Sequence, residues 1–357
     1  MRRLALMMLA ALLLSPLLPV RAQDAPVSID SPQALAAITE NPGGTYVLTR
    51  DIDMAGIDWV PIAFSGTLDG AGHTLYNLSI TQIGQEKANT TDGNLKKYGT
   101  YFAALFSVVK GAYIKNLNLL NVHVSVRADK INCFAAGLAG LAEDTVITGC
   151  SVEGRVYLYQ NRYMCGVAGL VGFGHGAISG CSADVELVLV DGNRSIKCEA
   201  FLGGILGAGY FDMEDCHVKL NGYASVHGYV HNGGVIGMYK VYVVADKMRK
   251  GYIKGCSVDA HISFFEHNSD RRAYCKAVIG EKLNKYLLVD DNIIVSFDSH
   301  ETRDYRTDLM PEACASPLYT AEVVPPPETE YGYTRYVCQG CGYAYTDDYV
   351  HPIGVMP

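Results

Sequence analysis

Short apolar runs broken by Gly, Asn and Asp set the rhythm of this chain, and no 3.6-residue apolar stripe competes with them. One six-residue pattern recurs as Leu75-Tyr-Asn-Leu-Ser-Ile80, Ile114-Lys-Asn-Leu-Asn-Leu119, Ile147-Thr-Gly-Cys-Ser-Val152, Ile178-Ser-Gly-Cys-Ser-Ala183, Met213-Glu-Asp-Cys-His-Val218 and Ile253-Lys-Gly-Cys-Ser-Val258, with a decayed copy at Val289-Asp-Asp-Asn-Ile-Ile294. Positions 78, 117, 150, 181, 216, 256 and 292 are then equivalent, at spacings of 39, 33, 31, 35, 40 and 36 residues. Upstream of the later copies lies a strand of small residues: Gly137-Leu-Ala-Gly140, Gly169-Leu-Val-Gly172, Gly204-Ile-Leu-Gly207, Gly234-Val-Ile-Gly237 and Ala277-Val-Ile-Gly280. Alternation of this kind predicts strands, and units that cannot each bury a face alone can do so when stacked. The period is too irregular for a propeller. The pattern predicts an all-β right-handed parallel β-helix of about seven rungs, spaced about 4.8 Å apart.

Because strand side chains alternate, the pattern also assigns faces. Leu78, Leu117, Cys150, Cys181, Cys216 and Cys256 are expected inside, as are Ile80, Leu119, Val152, Ala183, Val218 and Val258. Three outward rows follow. The first is Ser79, Asn118, Ser151, Ser182, His217 and Ser257; the second is Thr81, Leu120, Glu153, Asp184, Lys219 and Asp259; the third is Val122, Arg155, Glu186, Asn221 and His261. In register, Glu153 and Asp184 are neighbours and Lys219 lies between Asp184 and Asp259, which is either a solvated salt ladder or a polar track for carbohydrate or a cation such as calcium. Sixteen positions separate Gly237 from Ile253 where other units need six or seven. The excess, Met238–Tyr252, is expected to form a loop presenting Tyr239, Tyr242, Lys247, Arg249 and Lys250 for recognition. A second polar loop is expected over Thr91–Lys97.

The opening segment reads Ile29-Asp-Ser-Pro-Gln-Ala-Leu35, Asn41-Pro-Gly-Gly-Thr-Tyr-Val-Leu48, Asp51-Ile-Asp-Met54, Trp59-Val-Pro-Ile62 and Phe64-Ser-Gly-Thr-Leu-Asp-Gly-Ala-Gly-His-Thr-Leu75. Ser31 followed by Pro32 predicts a short cap helix closing the apolar end of the rod. This order, followed by the Gly-Leu-x-Gly repeats, resembles the GLUG-motif secreted β-helix proteins, which include the non-catalytic N-terminal region of bacterial immunoglobulin-A-specific metallopeptidases. The resemblance covers about Ile29–Phe297. It implies an extracellular or surface β-helix used for attachment or substrate engagement. The nearest string to a His-Glu-x-x-His zinc helix is His300-Glu-Thr-Arg-Asp304, which lacks the second His, so the peptidase activity does not carry over. A nucleophile elbow and a P-loop are also missing from the sequence.

Composition changes the picture in two places. The 357 residues are 49% apolar and 18% charged, which excludes wholesale disorder, and the net charge of −8 argues against nucleic acid as a partner. Met1–Ala22, with Arg2 and Arg3 before an apolar stretch and small residues at Val20 and Ala22, has the parts of a secretory signal, and no later stretch predicts a membrane span. Eleven cysteines in an exported chain suggest disulfides. Four of them, however, fall at the repeated inward position, where an interior ladder of small apolar side chains is expected. Cys133 and Cys165 are equivalent and close enough in the repeat to bridge.

After Val295 the periodicity fades. Glu322-Val-Val-Pro-Pro-Pro-Glu328 has the composition of a stiff linker, and Tyr331–Tyr349 holds Cys338-Gln-Gly-Cys341-Gly between tyrosine-rich strands. This resembles the short Cys-x-x-Cys-Gly hairpin modules of exported Gram-positive proteins. Cys338 and Cys341 with Cys314 and His351 are the candidate set for a structural zinc, a disulfide staple being the other reading. The organisation expected is thus 1–22 signal, 23–300 β-helix and 301–357 linker with a small β-hairpin module. The expected work is non-catalytic, adhesin-like binding of glycan or extracellular protein outside the cell, by Glu153, Asp184, His217, Lys219, Asp259, Tyr239 and Tyr242. A β-helix polysaccharide lyase or hydrolase is the alternative, and a structural spacer a third.

Overall fold

The computed structural model describes residues 25–84, 99–128, 131–160, 164–191, 198–226, 228–239, 251–266, 273–282, 287–290, 292–301, 319–325, 332–338 and 344–350. Its body is a parallel β-solenoid of about five turns. One coil shows the plan. Asn132–Ala136 lies in a six-stranded sheet, Ala139–Thr148 in a bent sheet of thirteen strands, and Ser151–Gln160 in a sheet of nine. Each then pairs in parallel with its equivalent one coil on: Cys133 with Cys165, Ile147 with Ile178, Ser151 with Ser182.

Two corners set this path. At the first, the amide of Gly137 donates to the carbonyl of Gly169, Gly169 to Gly204 and Gly204 to Gly234. A Cβ on Gly169 would strike the Gly204 carbonyl and lie 2.8 Å from the Ala183 Cβ, so the Gly-Leu-x-Gly repeat is a requirement of close backbone approach. At the second corner, the residue before each inward Leu or Cys is left-handed: Asn116, Gly149, Gly180, Asp215 and Gly255 have φ of 53°, 59°, 59°, 52° and 61°. That conformation admits Gly, Asn and Asp and little else, which is why the motif alternates among those three types.

Turning at these corners buries one side of each sheet. Leu117, Cys150, Cys181, Cys216 and Cys256 form the expected interior ladder, all at most 2% exposed. Their thiols are free, and those of Cys181 and Cys216 are pushed up by bonding to the neighbouring thiols of Cys150 and Cys256 and by burial. Cys133 and Cys165 lie opposite one another in register, both buried and not joined by a disulfide, and burial raises Cys133 to about 12. Cys133, Cys181 and Cys216 are packing groups held as thiols, whereas bonding to the thiols of Cys181 and Cys216 shifts Cys150 and Cys256 downward.

A second, smaller core lies outside the tube. Phe102, Phe134 and Phe201 alternate with the inward Cys133 and Ala135 column and pack against Leu141, Phe173 and Met238 of the bent sheet. This seam ends in polar groups. His231 stacks between Phe201 and Tyr274 at 5.4 and 5.3 Å, with its Nδ1 2.9 Å from a Glu281 carboxylate oxygen whose acidity burial weakens.

The ends depart from the simple count of seven rungs. Ser31 caps the helix Pro32–Ala36 as expected, its hydroxyl accepting from the Ala34 amide at 3.3 Å, and Leu35 and Ile38 close the rod. The first sequence copy is not a coil equivalent to the second. Thr74 and Leu75 pair with Asn118 and Leu119, whereas Ser79 and Ile80 pair with His123 and Val124. Leu78 therefore stacks on Val122, with the His123 amide donating to its carbonyl, and not on Leu117. Both segments pair with residues 44 further on, five beyond the sequence-equivalent motif at Ile114–Leu119. A separate bulge shifts the pairing with the next strand by one residue. Asn121 is an extra left-handed residue (φ 54°) whose side-chain amide donates to the Asn77 side chain at 2.9 Å. The last copy is frayed, with Asn292 exposed.

The expected C-terminal hairpin is present, Gly332–Cys338 pairing antiparallel with Ala344–Val350. It is completed by a third strand, Tyr319–Val324, so Glu322, Val323 and Val324 belong to a sheet and not to the linker that their composition suggests.

Candidate functional site

The second row is held in the register that alternation predicts. Glu153 lies opposite Asp184, Asp184 opposite Lys219, and Lys219 opposite Asp259, on four successive strands of the nine-stranded sheet. Lys219 Nζ bonds Asp184 Oδ2 at 2.8 Å, which raises the lysine's affinity for its proton. Partial burial, and then the charge of Asp184, push the Glu153 carboxyl above the usual carboxylate range, with Lys219 opposing. Two like charges on adjacent strands make each other easier to protonate, and one lysine offsets only part of the effect.

Beside this row runs a column of hydroxyl, amide and imidazole groups. The Ser151 hydroxyl bonds Asn118 Oδ1 at 2.8 Å, and His217 Nδ1 lies 2.8 Å from the Ser257 hydroxyl. The two columns bound a shallow groove of about 350 Å³, running from Thr74 and Asn118 past Ser151, Ser182 and Asp184 to Lys219.

The register of the first coil and the bulge after Leu119 correct the rest of the expected rows. Thr74, not Ser79, heads the hydroxyl column, and Thr81 is held away from the second row by Asp58, which accepts from its amide at 3.1 Å and its hydroxyl at 2.9 Å. Leu120 falls in the bulge. Val122 is buried, and His123 takes its outward place opposite Arg155, followed by Glu186, Asn221, His261 and Asp298. Burial, and then the charge of Arg155, lower His123 to about 4. Arg155 lies 3.4 Å from Glu186, and His261 3.1 Å from Asp298.

Tyr239 is not a surface contact. It ends the strand Ile236–Tyr239 opposite Gly209 and is buried in the main core, with Gly251 leaving room for its ring. Tyr242, Lys247, Arg249 and Lys250 lie outside the described residues, as do the signal segment, the Thr91–Lys97 loop, Cys314, Cys341 and His351. Cys338 ends its strand with its backbone opposite Tyr319. Among the described residues no three His, Cys, Asp or Glu side chains are arranged to hold a metal ion, and no helix is long and apolar enough to cross a membrane.

Two tyrosine–lysine pairs, set four strands apart with Val146, Ala177 and Asp212 between the tyrosines, were not anticipated from the sequence. Around the left-handed corner from the groove, Tyr113 and Tyr252 stand outward on the bent sheet, both more than a third exposed. Each carries a lysine near its ring, Lys115 at 5.9 Å and Lys254 at 5.2 Å, and each lysine is fixed by an acid on a neighbouring strand, Asp69 at 2.8 Å and Glu214 at 2.7 Å. The signal was a second repeat, Tyr113-Ile-Lys115 and Tyr252-Ile-Lys254, set over the inward Ile114 and Ile253.

A parallel β-solenoid with an in-register polar groove and two exposed tyrosine–lysine pairs on the adjoining face is the class of protein that fold and site define. No family model and no curated protein matches the chain.

Proposed function

We propose that this is an exported, non-catalytic, adhesin-like binding protein of the GLUG-motif type, which engages an extended glycan along the groove of the nine-stranded sheet. The observation that carries this is the unbroken register of the two polar columns. Hydroxyl, amide, carboxylate and ammonium groups recur at the strand spacing of about 4.8 Å, so a ligand lying along the rod meets similar partners at each step. A row of hydrogen-bonding groups over a flat floor, with exposed tyrosines around the corner, suits sugars, which offer hydroxyls at their edges and C–H groups on their faces.

The test is a glycan array followed by calorimetry on the mature chain. Glu153→Gln with Asp184→Asn is expected to weaken binding at least tenfold, and Tyr113→Ala with Tyr252→Ala to weaken it less. Binding that is unchanged in both double variants removes the groove from consideration.

A lyase or hydrolase is the second reading, favoured by one observation: Glu153 and Asp184 are adjacent carboxylates, and the former has raised proton affinity, as a general acid requires. Reducing-sugar and unsaturated-uronate assays on the same array hits decide it. Product formation that disappears in Glu153→Gln would establish an enzyme.

A further inference from the structure

The two ends of the rod are finished differently. The N-terminal end is covered by Leu35 and Ile38 of the cap. At the other end the strands Ala273–Lys276, Ile279–Lys282 and Ile294–Glu301 are, among the described residues, each paired along one edge only. Val295 continues the inward column of Val258, and Val289 that of Ile253. Yet Val295 is 45% exposed and Val289 37%, against 2% and 0% one coil earlier, and Leu288 and Ile294 beside them are 65% and 75% exposed. In the chain's C-terminal sheet Val323 is 73% exposed. An open core end with free strand edges is a surface that a solenoid has to cover.

We propose that a second copy of this chain covers it, end against end, in a twofold dimer. The occupant follows from what the end offers. Three sheet edges at fixed spacing need three edges in return, and among the described residues only the same end of another copy has them. The N-terminal cap forbids the head-to-tail alternative, so association closes at two copies and does not propagate into a fibre. The edge strand also suits self-pairing. An antiparallel register centred on Phe297 keeps inward residues opposite inward ones, Val295 against Ser299, and sets Ser296 against Asp298, so no like charges meet. An eight-residue strand is about 26 Å long and sheets stack about 10 Å apart, so two such layers bury roughly 1,000 Å² in total. That is near the lower limit for a specific interface, and the dimer is expected to be concentration-dependent.

Sedimentation velocity of the mature full chain from about 1 to 100 µM should show monomer passing to dimer and nothing larger. Ile294→Lys and Val295→Asp should each hold it monomeric with the circular dichroism spectrum retained, whereas Val60→Lys, at an exposed apolar site away from this end, should not. Hydrogen exchange gives a readout that survives a poorly folding variant: amides of residues 294–301 in the wild type should become protected as concentration rises. A monomer throughout this range overturns the proposal, whether its 294–301 amides are open or are protected by the chain's own C-terminal sheet. A dimer that survives both substitutions, or an open-ended polymer, also overturns it.

Discussion

Gly169 and Gly180 lie eleven residues apart in one coil and are glycine for different reasons. Gly180 is left-handed at φ 59° with nothing nearer than 3.8 Å to its absent Cβ, so Gly180→Ala should cost only the backbone preference, about 1 kcal/mol. At Gly169 a methyl would be driven into the Gly204 carbonyl, and Gly169→Ala should cost about 3 kcal/mol or more. Urea melts of the two variants check the order. The raised affinity of Glu153 for its proton also has a signed consequence. Relative to the unfolded chain, its contribution is favourable below the ordinary carboxylate range and is lost as pH rises through the folded value. Glu153→Gln should therefore melt at or slightly above the wild type at pH 7, by a few tenths of a kcal/mol after solvent screening, and lose that advantage near pH 4. Residue-level facing was legible wherever period-two alternation ran unbroken, as in the Cys150–Cys256 ladder. It failed at Tyr239, where the long insertion that follows hides the fact that Gly234–Tyr239 continues a core strand.

Strands were easier to foresee than their alignment. The motif at Leu75–Ile80 matches the later copies in residue type, yet its partners lie 44 residues on, five beyond the equivalent motif, so Asn77 stacks on Asn121 and not on Asn116. Similarity could not expose this, because Asn77, Asn116 and Asn121 are all left-handed and chemically identical, and only pairing tells which stacks on which. The bulge sets the outward row, putting His123 where Val122 was expected. Asn121→Gly should keep the backbone conformation and lose one side-chain hydrogen bond, whereas Asn121→Ala adds left-handed strain, costing about 1–2 kcal/mol in all. Thermal melts should rank wild type above Asn121→Gly and Asn121→Ala last. Equal melting of the two variants would show that the bulge relaxes without left-handed backbone.

For the molecule as a whole, stability is the sum of coils and the contacts between neighbours, so its ends matter more than their size suggests. Leu35→Asp would place a charge in the buried contact that closes the rod, with an expected loss on the order of 3–5 kcal/mol and aggregation visible on size exclusion. The solenoid itself was legible because each coil repeats the same local bargain between corner and core. The groove was legible where register runs within unbroken strands, in the first row from Asn118 to Ser257 and in the second from Glu153 to Asp259, and failed at the first coil, where Ser79 and Thr81 were misplaced. The C-terminal sheet was read as a hairpin because the valines of its third strand sit beside prolines that suggest a linker.

The helix at Pro32–Ala36 also gives the rod a direction in time. The finished end is the one that leaves the ribosome first, and each later strand of the rod pairs with one at most 46 residues behind it. The structure can therefore be laid down layer upon layer as the polypeptide emerges, every new winding finding a completed template below it, with no need to wait for the distant end of the chain.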